Sequence, residues 1–109
     1  MSTIVLDLPP IDEEGYIVDP GEWNEVLSEY FAHVENIHLT DGHWLVIQFM
    51  RNYYEEHQIA PDARFVITYL TGTFGAGARK ELFRLFPYGY VQQACKIAGM
   101  KRPRAWSTG

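Results

Sequence analysis

One residue of this 109-residue chain carries a thiol, Cys95, in the run Gln93-Ala94-Cys95-Lys96-Ile97-Ala98-Gly99. The thiolate is the nucleophile, and nearby cations favour it. Lys96 is adjacent, and Lys101, Arg102 and Arg104 follow on a short basic arm that can fold back. These residue types suit redox chemistry or the carriage of sulfur as a persulfide. Two facts pull the other way. Cys95 falls in what reads as the last turns of a helix, where the dipole is negative and opposes thiolate formation. A lone cysteine in such a segment also reads first as a small buried side chain.

The other chemistry-bearing residues form weaker groupings. His33, His38, His43 and His57 are scattered, with neither a partner cysteine nor the i, i+4 spacing of a helical metal pair, so no metal site is expected. The acids Asp12, Glu13, Glu14 and Glu55, Glu56 read as solvated faces. Gly72, Gly75 and Gly77 lack the lysine and the preceding strand of a phosphate loop and read as a turn. No cofactor is implied. A helix near 61–70, a glycine-rich turn and a basic helix near 78–86 bear a loose likeness to a helix-turn-helix. Arg79, Lys80 and Arg84 would then face DNA, although ordinary helix packing accounts for the same pattern.

The elements that must position these residues are mostly helical. Asp19-Pro20 offers an N-cap acid and an N1 proline. Trp23, Val26, Leu27, Tyr30 and Phe31 then recur as one helix face. Thr40 caps a second helix with Trp44, Ile47, Met50 and Tyr54 along one side, widened by Phe49 and Tyr53. Arg51, Asn52, Glu55 and Glu56 are expected to face outward. Pro61 opens a third helix carrying Phe65, Val66, Tyr69 and Leu70, broken by the glycines of 71–77. A short helix follows through Leu82, Phe83, Leu85 and Phe86 and stops at Pro87. The last helix, about 90–98, ends on Gly99, which suits a left-handed C-cap. Ahead of them, Ile4-Val5-Leu6 and Tyr16-Ile17-Val18 suggest a small antiparallel hairpin or meander. The expected fold class is α+β: about five helices, a small N-terminal antiparallel β-sheet and a C-terminal arm. Residues 1–99 form one domain and 100–109 the basic arm.

Composition agrees with one globular domain, 47% hydrophobic and 15% aromatic. A single cysteine cannot form an internal disulfide. The first ten residues lack the basic flank and apolar run of a signal peptide, and no stretch approaches the length of a membrane span. A cytoplasmic protein is expected. The net charge of −5 is unevenly spread. Residues 1–59 hold twelve acids and one base, Arg51, whereas residues 60–109 hold eight bases and two acids. Such a split points either to a basic face that meets an acidic partner or to attraction between the two halves of the domain.

Several motifs in order resemble the DsrC/TusE family of sulfur-relay proteins. Asp12-Glu13-Glu14-Gly15-Tyr16 is similar to the family's acidic Gly-Tyr turn, with Trp23 at the expected distance. Leu39-Thr40-Asp41-Gly42-His43-Trp44 resembles its Leu-Thr-x-x-His-Trp helix start. Arg51-Asn52-Tyr53-Tyr54, Ala60-Pro61, Arg64, Leu85-Phe86-Pro87-Tyr88-Gly89 and Gln93 to Gly99 continue the likeness. The resemblance implies a helical domain with a small N-terminal sheet and a mobile C-terminal arm. It also implies partners of a sulfur-relay or sulfite-reductase-like system, the latter as a γ-subunit-like protein.

In DsrC proteins the arm carries a penultimate cysteine, and a second cysteine lies about eleven residues upstream; TusE proteins keep the penultimate one and pass sulfur toward tRNA thiouridine synthesis. Cys95 matches the upstream position, and eleven residues on stands Trp106, which cannot hold a persulfide. The segment before Leu85 is also shortened, and Tyr90 replaces the family's proline. These departures favour a non-catalytic partner-binding or regulatory paralogue. Its contacts would be Lys96, Lys101, Arg102, Arg104 and Trp106, with Cys95 kept as a redox-sensitive thiol. One alternative is a working sulfurtransferase-type carrier through Cys95; the other is a DNA-binding regulator through Arg79, Lys80 and Arg84.

Overall fold

The computed structural model describes residues 8–102. Four α-helices of two turns or more follow in order: α1 Glu25–Val34, α2 Asp41–His57, α3 Ala63–Phe74 and α4 Ala78–Leu85. A terminal helical segment follows. It is π-helical over Tyr90–Ala94 and α-helical only for Cys95–Ile97. The expected fifth α-helix is thus mostly a π turn, which widens the backbone just before the thiol.

The caps show why the helices begin where they do. Asp19 accepts the Gly21 N–H at 2.9 Å, but it starts only a 3-10 turn over Pro20–Glu22. Trp23 is extended, and α1 starts after Asn24, whose side chain accepts the Leu27 N–H at 3.0 Å. The helix expected from Asp19 therefore starts one turn late, and Trp23 lies outside its face. Leu27, Ser28, Phe31 and Ala32 are the buried residues of α1, whereas Val26 is exposed. Thr40 does open α2, with His43 closing a capping box in which the Thr40 N–H donates to His43 Nδ1 at 3.0 Å. Asp62 caps α3 through the Arg64 N–H at 2.9 Å. α3 runs through Gly72 to Phe74, so only Gly75–Gly77 break the helix.

The inner faces of the helices meet in one core. Val46 and Met50 of α2, Val66 and Leu70 of α3, Leu82 of α4 and Phe86 after it are fully enclosed, together with Ala94, Cys95, Ile97 and Ala98. Tyr90 ties the terminal segment to the α2–α3 loop by donating its hydroxyl proton to the Pro61 carbonyl.

Among the described residues the expected N-terminal antiparallel sheet is absent. Ile4-Val5-Leu6 lie outside the described residues, and the second half of the hairpin is reduced to a single antiparallel bridge between Ile11 and Ile17. Two local features stop the ladder. Pro9 and Pro10 have no N–H to donate. Asp12 turns its carboxylate onto the Glu14 and Tyr16 N–H groups, both at 2.9 Å, folding the segment into a tight turn with Gly15 at φ +95°. The architecture is helical, with a bridged turn where a sheet was expected. Among the described residues no helix is long and apolar enough to cross a membrane.

Candidate functional site

The terminal helix must end somewhere, and its last carbonyls cannot find partners in a following turn. Ile97, Ala98 and Gly99 present three such oxygens in succession. Each is met by a side chain from elsewhere in the chain. Ser28 of α1 donates its hydroxyl to Ile97 O at 2.6 Å, and Trp23 Nε1 donates to Ser28 Oγ at 2.7 Å. Arg51 of α2 donates through Nη1 to Ala98 O at 3.2 Å and to Gly99 O at 2.9 Å, and through Nη2 to Pro20 O at 2.9 Å.

Arg51 is only 8% exposed. Its guanidinium lies over the Trp23 ring at 4.6 Å and near the Tyr54 ring at 5.5 Å. Burial pulls its pKa below the ordinary value, with Glu55 and Tyr54 partly offsetting this. Arginine's high intrinsic basicity still keeps it charged. The expectation that Arg51 faces outward is therefore wrong, and the sequence did hold a clue. Arg51 falls seven residues after Trp44 and four after Ile47, on the apolar stripe of α2. Ser28, one residue beyond Leu27, was missed because serine carries no periodic signal of its own.

The turn that releases the arm is a Schellman motif. Gly99 N–H donates to Lys96 O at 3.1 Å and Met100 N–H to Cys95 O at 2.9 Å, with Gly99 at φ +74°. A Cβ on Gly99 would lie 2.2 Å from Trp23 Cδ1, so glycine is required twice over, by conformation and by space. Trp23 and Arg51 thus seat the chain where the arm leaves the domain. Beside them opens a pocket of about 430 Å³, lined in part by Trp23, Arg51, Tyr54, Asp19 and Glu55.

Cys95 lies inside this framework and is wholly enclosed. Burial pushes its thiol up to about 12, an effect the neighbouring Tyr90 side chain opposes only in part. Lys96 does not activate it. The ammonium sits 3.7 Å from Glu35 and 5.2 Å over the Tyr16 ring. Arg102 pairs with Glu14, and Lys101 is exposed. Arg104 and Trp106 lie outside the described residues. The structure therefore gathers Cys95 and Lys96 on the terminal helix but points the cation away from the thiol.

On α4, Arg79 and Lys80 are exposed, while Arg84 is bound by Glu81. No group of three or more His, Cys, Asp or Glu able to hold a metal ion occurs among the described residues. His43 has a structural role: its Nδ1 accepts from Thr40 and its Nε2 donates to Leu85 O at 2.8 Å.

Comparison with known proteins places these features in a family. Residues 8–105 match the family model described as DsrC like protein. The sulfurtransferases TusE of Pectobacterium atrosepticum and of Escherichia coli are each 38% identical over 94 residues, covering 84% of this chain and 86% of theirs. The crystal structure of the oxidized γ-subunit of the dissimilatory sulfite reductase (DsrC) from Archaeoglobus fulgidus superposes with a TM-score of 0.80. Its identity is 28%, covering 89% of this chain and 90% of that one. The solution structure of Allochromatium vinosum DsrC gives a TM-score of 0.75 at 39% identity, covering 87% of each chain. With the family model spanning the four helices, the arm root and its thiol, this chain belongs to the DsrC-like family of sulfur-relay proteins.

Proposed function

We propose that this chain is a partner-binding member of the sulfur relay whose own thiol chemistry is lost, and that it acts in the cytoplasm. The observation that carries this is the state of Cys95, fully enclosed and pushed up to about 12 in pKa, so that its thiolate is scarce at neutral pH. Trp106 adds to it, standing where the resemblance places the arm cysteine. The contacts assigned to partner binding are Lys101, Arg102, Arg104 and Trp106. The arm springs from a root fixed by Arg51, Ser28 and Trp23, which limits the directions in which it can reach. Lys96 supports that root through Glu35 rather than meeting a partner. The regulatory and DNA-binding readings are not carried forward, since the relatives are sulfurtransferases and DsrC proteins.

The test is sulfur loading. The reduced full chain is incubated with a persulfide donor and a sulfurtransferase, and intact mass is read for the wild type and Cys95→Ser. The expected result is no sulfur adduct on either. A gain of one sulfur atom that depends on Cys95, and passes on to an acceptor, would overturn the proposal and restore a carrier.

A further inference from the structure

Across the outer surface of α2 and α3 runs a ladder of aromatic rings, rooted by Phe49 on the core and open to solvent at Phe65 and Tyr69. His57 lies 4.3 Å from Tyr53; Tyr53 stacks on Phe65 at 5.9 Å; Phe49 lies 6.3 Å from Tyr53 and stacks on Tyr69 at 4.5 Å. Phe65 is 50% exposed and Tyr69 45%, although each has buried neighbours on α3, Val66 and Leu70, that already fill the interior. Ile59, 61% exposed, stands in the loop joining the two helices.

The α3 side of this face is neutral, with exposed Glu56 and Arg64 at its margin. From Phe65 to Ala78 there is not one charged residue, in a chain that is 21% charged overall. Beyond the rings the face flattens, because the space over Gly72, Gly75 and Gly77 is open. Phe65, Tyr69 and Gly72 recur at i, i+4 and i+7, so the rings form a ridge beside a shallow, side-chain-free stretch. A neighbouring helix packs onto such a ridge and groove. Depletion of charge together with enrichment in Tyr and Phe is the signature of an interface core rather than of an ordinary solvated face.

We infer that this ring face is a docking surface for the uncharged, apolar side of a helix from a partner protein. The inference rests on the chain acting through a partner, but on a face separate from the arm. Three arguments choose the occupant. Nucleic acid would stack on rings, yet the cation flanking Phe65, Arg64, is paired with Asp62, and exposed Glu56 on the α2 side repels phosphate. A second copy would need about 800 Å² per side for a stable dimer. Phe65, Tyr69 and Ile59 together expose roughly 300 Å² of apolar side chain, the size of a functional patch rather than of a permanent interface. A face uncharged along α3 gives little affinity there to a charged partner, so its complement is apolar. A contact of this size holds a partner briefly and lets it go, which a relay requires.

The experiment is site-specific photocrosslinking followed by titration. Benzoylphenylalanine is placed at Tyr69, and at exposed Glu29 of α1 as a control, in the full chain expressed in its own cells. The protein crosslinked from Tyr69 is identified together with the linked peptide, then purified. It is titrated against the wild type, Tyr69→Glu, Phe65→Ser and Arg102→Glu, each checked for unchanged helicity. The expected result is a linkage specific to position 69, on a peptide with an apolar helical stripe, and a loss of affinity of at least about tenfold in Tyr69→Glu. No linkage specific to position 69, linkage only to a second copy, or unaltered binding by both ring variants overturns the inference. If Arg102→Glu alone weakens binding, the ring face fails while the arm reading stands. If only the ring variants weaken it, the reverse holds.

Discussion

Cys95 and Arg51 exchange the roles their chemistry suggests. The thiol is out of reach of water because the fold encloses it, and the charged residue is interior because three carbonyls need it. The thiol's isolation has a kinetic signature. Reaction with a disulfide reagent at pH 8 requires the native structure to open, since thiolate forms only in contact with water. Native Cys95 should react at least about a hundredfold slower than in urea, as an opening free energy of about 3 kcal/mol implies. Rates that match in the two conditions would show that the thiol is accessible. The sign for stability follows from the raised pKa. A thiol held neutral in the fold but ionising near its ordinary value when unfolded contributes stability below that value. That contribution is lost as the pH climbs toward about 12.

His43 makes the opposite prediction at the acid end. Its Nδ1 accepts from the Thr40 N–H, and the Thr40 hydroxyl lies 2.8 Å away, so the proton sits on Nε2, facing Leu85 O. Burial lowers its pKa, with Arg84 adding repulsion, while the Leu85 carbonyl and Glu81 pull the other way; His38 is also near and adds to the lowering. A group depressed in the fold leaves the unfolded chain to take the proton first. Stability is therefore full above about pH 6.5 and declines below it. Urea midpoints measured from pH 8 to pH 5 should fall more steeply in the wild type than in His43→Gln, whose amide can keep the capping box without titrating. Parallel curves would remove His43 as the cause.

At the scale of the element, the terminal helix shows what local signals can specify. Gly99 was legible as a C-cap, because the helical pattern stops there and glycine alone enters φ +74° without strain. Thr40 was legible as a cap from its hydroxyl at the head of the α2 stripe, but its capping partner His43 was not, since a capping box ordinarily carries Glu or Gln there. The start of α1 was not, because Asp19-Pro20 and Asn24 both carry cap chemistry, and only the extended Trp23 between them assigns one to a 3-10 turn. The arm root was invisible for a different reason. Ser28 and Ile97 are 69 residues apart, and Arg51 and Gly99 48, so no window of sequence contains the pair. Among the described residues the ladder stops at one bridge, because Pro9 and Pro10 lack donors and the Asp12 carboxylate takes the N–H groups of Glu14 and Tyr16.

The same root predicts which substitutions break the element. Gly99→Ala combines a left-handed backbone penalty with a clash against Trp23. It should cost about 2–4 kcal/mol, read as a drop in urea midpoint. Arg51→Met keeps the bulk and removes all three donors, leaving Pro20, Ala98 and Gly99 oxygens buried and short of partners. The expected loss is about 3 kcal/mol or more, with faster amide exchange at Gly99 and Met100 than elsewhere in the protein. A variant that stays within about 0.5 kcal/mol of the wild type would mean the carbonyls find water instead.

On the whole-molecule scale, the uneven charge is partly resolved within the fold. Lys96 meets Glu35 and Arg102 meets Glu14, each pair joining the acidic half to the basic one at the arm root. These pairs differ in weight. Lys96 and Glu35 are about four-fifths buried, with side-chain exposures of 21% and 20%, whereas Arg102 and Glu14 are more than half exposed. An exposed pair contributes roughly 0–1 kcal/mol and is screened by salt. The packing boundary coincides with this change. Met100 is 1% exposed and seats against the Schellman turn, and Lys101 after it is exposed. A chain ending at Met100 should therefore keep its fold, with a urea midpoint corresponding to a loss of about 1 kcal/mol or less, while partner binding through the arm disappears. Ending at Ala98 removes Met100 from the core and the Gly99 carbonyl from Arg51, and should cost several times more. If both truncations destabilise equally, residues beyond Met100 carry part of the core, and the arm is not free to serve a partner.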